Sequence, residues 1–260
     1  MTAWTEGEEV ARGATAVVRR GRPGTVVKTF EPSIPAMVAG LEDRSTRIAM
    51  AAGLPVAPLL ESDLAAEPPT LTFAYVEGEH LDERAGIIGP AGVGAALADL
   101  HDLIHRCDPA DAVRVEDFLG HQIRAVDLPE RVRAAVLGEL DRLAASEVRV
   151  LCHMDLHPHN VLWAAGPVII DWTDGMAAPR TADVARTRLL LASEVHYDPP
   201  ETPQELAATL AGYETRIEEL SPGIVHRSRA WDAVVAAARL DERPPASERA
   251  ELLARLGVTA

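Results

Sequence analysis

Residues 151–171 read LCHMDLHPHNVLWAAGPVIID, in which two short apolar runs flank a turn of small residues, Gly and Pro. Val161–Trp163 and Val168–Ile170 have the composition of β-strands, and the four residues between them favour a hairpin. A hairpin brings its open ends together, so we expect the polar side chains at those ends to converge. These side chains are Asp155 and Asn160 before the first strand and Asp171 after the second.

The residue types at the ends of this hairpin suit phosphoryl transfer from a nucleotide. An Asp can accept the proton of an attacking hydroxyl, while an Asn amide oxygen and a second Asp can hold Mg²⁺ on the phosphates. Mg²⁺ prefers oxygen ligands and completes its coordination with substrate phosphates. The pattern therefore predicts three catalytic residues, with Asp155 as the base and Asn160 and Asp171 as metal ligands.

The motif HMDLHPHNVL at residues 153–162 resembles the H-G-D-x-H-x-x-N-x-L signature of the aminoglycoside phosphotransferase-like kinases. The sequence IIDW at residues 169–172, followed by Asp183, resembles the I-D-W…D-L-A continuation of that family. The resemblance implies a protein-kinase-like fold and transfer of the γ-phosphate of ATP (or GTP), with Mg²⁺, to a small-molecule hydroxyl. It also implies that Asp183 braces the catalytic loop by hydrogen bonding.

Two residues depart from the family signature, because Met154 and His159 stand where the family usually has Gly. A side chain at the first position is tolerated in related kinases. The second substitution is expected to be accommodated by a positive φ at His159, which His adopts more readily than most residues.

The histidines around Asp155 allow a competing hypothesis. His153, His157 and His159 could bind Zn²⁺ in a hydrolase, but zinc alone explains neither Asn160 nor Asp171. In the kinase interpretation, His153 and His157 are structural and satisfy buried backbone groups. A further alternative is a pseudokinase that binds nucleotide and regulates a partner.

The N-terminal part of the chain predicts strands around a small-residue loop. Gly13, Ala14 and Thr15 lie between two of these strands, where backbone N–H groups can approach phosphates, and the loop resembles the nucleotide loop of the family. The alternative is an ordinary hairpin. The predicted strands are Glu9–Ala11, Ala16–Arg19 and Thr25–Phe30.

Lys28 shares a strand face with Val26 and Phe30, so it is either a charged guard on an edge strand or a deliberate inward charge. In the resembled fold it contacts the α- and β-phosphates and needs a carboxylate partner from a helix. A helix is predicted from Ser33, as N-cap, to Gly53. Glu42 lies at the edge of its apolar stripe and is the expected partner, with Asp43 as the rival.

Two more strands are predicted at Pro55–Leu60 and Thr70–Val76. The sequence after them resembles the family's hinge, in which the Ala74 carbonyl and the Val76 N–H would pair with adenine. The composition then becomes helical. We therefore predict an α+β fold of two lobes, with a small antiparallel β lobe carrying one helix (residues 1–77, nucleotide-binding) and a larger, mainly helical lobe (residues 78–260, catalytic loop and acceptor site).

Several features of the helical part are specific enough to check. A helix is predicted from Pro90, on which His101 and His105 have the spacing of metal ligands but no assigned carboxylate partner, so they are interpreted as structural. Thr202 to Glu205 form a capping box, and Trp231 is predicted to lie in the core.

Composition limits the classes of function. The 260 residues carry a net charge of −15, which argues against nucleic acid and anionic membranes as partners. No apolar run approaches the ~18 residues of a membrane span. Two cysteines give no disulfide framework, so a cytoplasmic location is expected.

The acceptor site is expected after the catalytic stretch, because the N-lobe and hinge would hold the nucleotide. Glu194 and Asp198 lie in a predicted loop closed by two prolines, where side chains are free to face a cleft. Their charge suits a cationic, polyhydroxy acceptor such as an aminoglycoside-like compound.

Overall fold

The first part of the chain folds into a five-stranded antiparallel sheet with the strand order β1-β2-β3-β5-β4. The computed structural model describes residues 4–193 and 202–258. Helix α1 (Ala36–Ala51) packs on this sheet through Ala39, which contacts an apolar cluster that includes Phe30 and Leu71. The strands are β1 (Glu9–Arg12), β2 (Ala16–Arg20), β3 (Thr25–Phe30), β4 (Leu59–Asp63) and β5 (Thr70–Ala74).

Strand β3 lies in the middle of the sheet, which decides between the two interpretations of Lys28. Its Cα is paired with Val18 on β2 and with Leu71 on β5, and the residue is 7% exposed. Lys28 is therefore an inward charge and not a guard on an edge strand.

Several predicted boundaries in this part are wrong, and the strand predicted at Thr70–Val76, for example, ends at Ala74. Helix α1 starts at Ala36 with Pro35 as N-cap, and Ser33 lies instead in a turn closed by the Ile34 N–H and the Glu31 carbonyl. The strand predicted at Pro55–Leu60 begins only at Leu59. Residues 55–57 pair instead with Ile169, which donates to the Pro55 carbonyl and accepts from the Ala57 N–H. These apolar residues thus connect the sheet to the hairpin that carries the candidate site.

The rest of the chain is mainly helical, and short strands carry the catalytic stretch. The predicted hairpin is present as β8 (Val161–Trp163) and β9 (Pro167–Ile169), joined on one side by β6 (Glu79–His80). Strands β7 (Arg149–Cys152) and β10 (Met176–Pro179) form a separate pair. The helices are α2 (Ala85–Ile104), α3 (Val115–Ala125), α4 (Glu130–Ala144), α5 (Arg180–Leu191), α6 (Pro203–Leu220), α7 (Ile224–Ser228), α8 (Asp232–Arg239) and α9 (Ala246–Arg255).

The fold class is confirmed: an antiparallel β lobe precedes a helical lobe. The capping box at Thr202 is also confirmed, since its hydroxyl accepts from the Glu205 N–H and the Glu205 carboxylate accepts from the Thr202 N–H. Trp231 is 1% exposed and donates its indole N–H to Thr181 Oγ1 at 3.0 Å. It is a core residue, as predicted.

Contrary to the expectation that no apolar run approaches the length of a membrane span, the segment Leu81–Ile104 is long and apolar enough to pass as one. Helices in the core of soluble proteins meet the same criterion. The helical conformation is interrupted at Gly89, whose φ is +74°, so the continuous helix starts at Pro90, as predicted. Leu97 and Ala98 are fully buried in the helical lobe.

Helices α2 and α6 approach each other closely at two glycines. A Cβ atom on Gly94 would lie 1.9 Å from the Thr209 carbonyl oxygen, and one on Gly212 would lie 2.1 Å from the Ala91 carbonyl oxygen. Both obstacles are backbone atoms, which cannot turn away as a flexible side chain can. The crossing therefore depends on the absence of side chains at these positions.

We expect Gly94→Ala to destabilise the protein, because the added methyl must push the two helices apart. Overpacking of this kind costs about 1–3 kcal/mol or more. In a protein of this size that lowers the melting temperature by roughly 2–4 °C per kcal/mol. Thermal denaturation followed by circular dichroism measures the change.

Gly138→Ala in α4 is the matched control, since a Cβ atom there meets nothing within 4 Å. It should leave the melting temperature unchanged or raise it, because Ala favours the helix over Gly. Equal melting temperatures for Gly94→Ala and the wild type would contradict the close approach of α2 and α6.

Candidate active site

The loop between β7 and β8 carries Asp155 and Asn160, and the structure brings them together. The Asn160 side-chain amide donates to Asp155 Oδ2 at 3.0 Å and to the Asp155 carbonyl oxygen at 2.8 Å. Both bonds use the amide nitrogen, and the amide oxygen makes no hydrogen bond within residues 4–193 and 202–258. Asn160 is 7% exposed. Its oxygen is therefore available as a ligand for a cation.

Asp171 follows β9 and reaches the same region from the other side. Its φ is +59°, in the left-handed region that Asp adopts more easily than most residues. The preceding N–H, of Ile170, donates to the Asn160 carbonyl at 3.0 Å, so the two ends of the hairpin are directly connected. Asp155, Asn160 and Asp171 therefore lie close together at the open end of the hairpin, as predicted.

Lys28 reaches into this cluster from the β-sheet and forms two ion pairs. Its Nζ lies 2.7 Å from Glu42 Oε2 and 3.0 Å from Asp171 Oδ1. Burial alone would lower the pKa of Lys28, but Asp171 and Glu42 raise it above its usual value, so the amine is charged. The rival Asp43 instead pairs with Arg47.

Thr173 completes this cluster, and sequence reasoning missed it. Its hydroxyl lies 2.7 Å from Asp171 Oδ1 and 2.9 Å from Glu42 Oε2, so it bridges the two carboxylates that hold Lys28. Its position two residues after Asp171 was the available signal, since a hydroxyl there can bond back to the preceding turn.

Removing Lys28 should leave a buried charge without its partner. Glu42 is 1% exposed, and breaking a buried ion pair from one side costs about 3–5 kcal/mol. We expect Lys28→Met to lower the melting temperature strongly and the double variant Lys28→Met/Glu42→Gln to recover most of it. Phosphoryl transfer should stay low in both.

Thermal denaturation and turnover measured on the same preparations separate these two effects. If Lys28→Met melts like the wild type, the Lys28–Glu42 pair does not stabilise the fold as a buried contact. If the double variant regains transfer together with stability, Lys28 has no role at the phosphates.

The nucleotide-loop residues lie in the turn between β1 and β2. The Gly13 N–H donates to the Ala16 carbonyl at 2.9 Å, so it is already used inside the turn. Gly13 and Ala14 are exposed and Thr15 is half-buried. The N–H groups of Ala14 and Thr15 are therefore the ones left to meet a phosphate.

The predicted hinge follows β5. The Ala74 N–H bonds to the Pro58 carbonyl and the Tyr75 N–H to the Gly24 carbonyl, both at 2.9 Å. The Val76 N–H makes no hydrogen bond with any residue that the structure describes. This N–H group is therefore available to a ligand.

Asp183 is fully buried at the start of α5 and holds the backbone of the catalytic loop. It accepts from the His153 N–H at 2.9 Å and from the Met154 N–H at 2.8 Å. His105 Nε2 lies 3.0 Å from Asp183 Oδ2, and His101 Nε2 lies 3.4 Å away. Burial alone would raise the pKa of Asp183, but the two histidines hold it well below its usual value.

Asp183 is the carboxylate partner of His101 and His105 that the sequence did not reveal. One nitrogen atom of each histidine and a carboxylate oxygen of Asp183 all lie within 4.8 Å of one another. His101 Nδ1 also lies 2.6 Å from the Tyr213 hydroxyl. The two histidines contact the same carboxylate that binds the two backbone N–H groups of the loop. They therefore stabilise the loop through Asp183.

The positive φ of the loop falls on Met154, whose φ is +60°. The expectation that His159 would adopt one is wrong, because His159 lies in a 3₁₀ turn, Pro158–Asn160. The two backbone bonds to Asp183 fix the chain reversal at residues 153–154. Glycine would adopt the Met154 conformation without strain, which explains why a glycine suits this position.

The three histidines near Asp155 have different partners. His153 Nε2 lies 3.1 Å from the Ile170 carbonyl oxygen, and its Nδ1 accepts from the Asp155 N–H at 3.3 Å. His157 Nε2 lies 3.7 Å from Asp155 Oδ2, whereas His159 Nε2 lies 3.0 Å from Asp82 Oδ2. Within the described residues, His101, His105 and Asp183 have ligand atoms close enough together for a metal ion, whereas these three histidines form no such group.

Arg186 is a second residue that sequence reasoning missed. It is 4% exposed, donates through Nε to the Met154 carbonyl at 3.1 Å, and lies 3.4 Å from Asp155 Oδ1 through Nη2. Burial alone would raise the pKa of Asp155, but His157, Arg186 and His153 lower it, so Asp155 is ionised. The spacing of Arg186, three residues after Asp183, was the available signal. The acceptor candidates Glu194 and Asp198 lie outside the described residues.

Solved structures with the same fold include several small-molecule kinases. An aminoglycoside-3'-phosphotransferase of type VIII is 26% identical, with a TM-score of 0.58 and coverage of 92% of each chain. The choline kinase LicA from Streptococcus pneumoniae is 19% identical, with a TM-score of 0.61 over 95% of this chain and 90% of that one. The streptomycin–ATP–APH(2")-IIa complex is 11% identical, with a TM-score of 0.63 over 97% and 90%.

No curated protein matches this sequence significantly. Residues 6–224, which include the sheet, the predicted hinge and the predicted catalytic loop, match the phosphotransferase enzyme family. The chain belongs to that family.

Proposed function

We propose that the protein transfers the γ-phosphate of ATP, or of GTP, to a hydroxyl of a small molecule. Two sets of contacts carry this proposal: one runs from Glu42 through Lys28 to Asp171, and the other joins Asn160 to Asp155. The backbone bond between the Ile170 N–H and the Asn160 carbonyl connects them. In this arrangement a cation and a carboxylate from the sheet lobe meet the predicted metal ligands and the predicted base. One of the related structures is described as a complex with ATP.

The donor atoms fit a hard cation. Asp171 Oδ1 is occupied by Lys28 and Thr173, while its other oxygen makes no hydrogen bond within the described part of the chain. That oxygen and the Asn160 amide oxygen would hold Mg²⁺. When bound, Mg²⁺ neutralises charge on the phosphates.

The chain's own groups then have separate roles. Lys28, held by Glu42, would bind the α- and β-phosphates. In the loop that starts at Gly13, the N–H groups of Ala14 and Thr15 would cover them. The Ala74 carbonyl and the Val76 N–H would pair with the base. Residues 1–77 would form the nucleotide-binding lobe and residues 78–260 the lobe with the catalytic loop and the acceptor site.

Asp155 would accept the proton of the acceptor hydroxyl as its oxygen attacks the γ-phosphorus. The carboxylate is ionised and is oriented by the Asn160 amide, which suits a base that must be ready before the acceptor binds. His153, His157 and Asp183 would support the loop. Catalysis is then mainly positioning and charge neutralisation.

We propose a cationic, hydroxylated amine as the acceptor. Support comes from the sequence after the catalytic stretch, where residues 194–219 contain seven acidic residues and a single Arg. Glu194 and Asp198 are the proposed contacts of the acceptor. The related structures include enzymes for aminoglycosides and for choline, which are both cationic.

A screen of acceptors by ADP release tests the proposal. Hydroxylated amines should stimulate ADP release in the presence of Mg²⁺, and their KM should rise with salt because exposed charge pairs are screened. If only neutral or anionic compounds stimulated ADP release, and if their KM did not change with salt, the proposal of a cationic acceptor would be wrong. Nucleotide binding without turnover on any acceptor would favour the pseudokinase instead.

The high negative charge and the soluble small-molecule chemistry support a cytoplasmic enzyme without nucleic-acid or membrane partners. Fractionation of cells that express the protein would test this. Recovery in the membrane fraction after a high-salt wash would contradict it.

A further inference from the structure

Helix α5 presents one face to the catalytic loop on both sides of Asp155. Asp183, Arg186 and Thr187 are three and four residues apart, so they lie on the same side of the helix. Asp183 holds the N–H groups before Asp155. Thr187 Oγ1 donates to the Leu156 carbonyl at 2.8 Å, on the far side of Asp155.

Arg186 lies between these two contacts and is the residue of α5 that contacts the Asp155 side chain itself. Its guanidinium is planar and rigid, so one group fixes the Met154 carbonyl and the Asp155 carboxylate in a defined relation. The same guanidinium is anchored on its other side by Glu242 Oε1, at 2.6 Å.

Met154 explains why such an anchor is needed. A non-glycine residue in the left-handed region is less stable by roughly 1–2 kcal/mol, so the loop needs contacts that maintain this conformation. Met154 is held at both ends, with its N–H on Asp183 and its carbonyl on Arg186. Loss of the second contact would free the peptide group that leads directly into Asp155.

The charges around Asp155 are a second reason why the loop needs Arg186. Asp171 faces Asp155 from the segment after β9, and its negative charge repels the carboxylate of Asp155. His153 and His157 face it from its own loop. Arg186 is the permanently charged cation on this carboxylate among the described residues, so it offsets the repulsion on the side away from the sheet.

Glu242 extends this contact to the C-terminal part of the chain. It also pairs with Arg239, whose Nε lies 3.0 Å from Glu248 Oε1 at the start of α9. Both Arg239 and Glu248 are 8% exposed. The orientation of Asp155 is thereby connected to α8 and α9 by charge pairs, of which Arg239–Glu248 is buried.

We propose that Arg186 is a positioning residue that holds the Asp155 carboxylate in line with the acceptor hydroxyl. This inference rests on the phosphoryl transfer proposed above. Arg186 acts through Asp155 and does not itself contact the nucleotide or the acceptor.

The first test compares Arg186→Met with Arg188→Met. Arg188 is on the same helix and forms partly buried ion pairs, with Glu214 at 2.7 Å and Asp232 at 3.3 Å, but it does not contact Asp155. Arg186→Met should lower kcat by about 10- to 100-fold and leave the KM for ATP within about two-fold. Arg186→Lys should recover part of kcat, and Arg188→Met should retain it.

The second test is a double-mutant cycle with Asp155→Asn. If Arg186 acts through Asp155, Arg186→Met should cause little further loss of kcat in the Asp155→Asn background, because the group that it positions is already inactive. If the two losses multiply, Arg186 acts elsewhere and the inference is wrong.

Where Arg186→Met does not fold, the same cycle is measured with Arg186→Lys, which keeps the charge. The lysine cannot hold the carbonyl and the carboxylate in one plane, so kcat should still fall, and again only when Asp155 is present. Unchanged kcat in both Arg186 variants would overturn the inference alone. Unchanged turnover in Asp155→Asn would instead overturn the proposed function.

Discussion

Replacing Asp155 with Asn should lower kcat by about 10²–10⁴-fold, the usual contribution of a positioned general base. Asn keeps the size of the side chain but cannot accept the proton of the attacking hydroxyl. Binding of ATP with Mg²⁺ should be retained, because Asn160, Asp171 and Lys28 are untouched. Stopped-flow or steady-state ADP release gives kcat, and calorimetry gives the nucleotide affinity.

Asp99→Asn is the matched control for this variant. Asp99 is exposed and pairs with Arg216 on the surface, so the same change of residue type there should leave kcat unaffected. Wild-type turnover in Asp155→Asn would remove Asp155 from the mechanism. A parallel loss of nucleotide binding would instead make Asp155 part of the metal site.

Replacing Asp171 with Asn should abolish Mg²⁺-dependent nucleotide binding. Asn tolerates the positive φ of this position, so the loss reports on the carboxylate charge and not on the backbone. A metal ion contributes several kcal/mol of charge stabilisation, which corresponds to more than about 100-fold in affinity. A fluorescent ATP analogue titrated with and without Mg²⁺ measures the difference.

The metal ion on which activity depends also distinguishes the proposed kinase from the alternative, a zinc hydrolase. Added Zn²⁺ should not restore activity to the Asp171→Asn variant. If chelator-treated wild-type protein recovered a hydrolytic activity with Zn²⁺ alone, without ATP or Mg²⁺, the metal ligands would be the histidines around Asp155 and not Asn160 and Asp171.

The sequence predicts those parts of the site that depend on strands and spacing. A hairpin determines which of its ends meet, so the approach of Asn160 to Asp171 follows from the pattern of apolar runs alone. Lys28 is similar: strand alternation puts it on an apolar face, and its place on the central strand β3 then makes it an inward charge.

Other parts depend on long-range contacts that a local pattern does not contain. The positive φ at Met154 is set by Asp183, which is 29 residues further along the chain. Arg186 faces Asp155 only because α5 packs under the loop, and its anchor Glu242 is 56 residues away. Residues 55–57 have the composition of a strand of the five-stranded sheet, yet they pair with Ile169 on β9. Their local sequence does not specify which strand will be their partner.

The most direct measurement follows the γ-phosphate itself. ATP labelled at the γ-phosphate is incubated with Mg²⁺, the protein and each active acceptor, and the products are separated and identified by mass spectrometry. We predict that the label appears as a phosphate ester on a hydroxyl of the acceptor with the wild-type protein, and that this product falls with Asp155→Asn. Label found only in inorganic phosphate, or an acceptor product that forms equally well without ATP, would contradict phosphoryl transfer as the activity of this site.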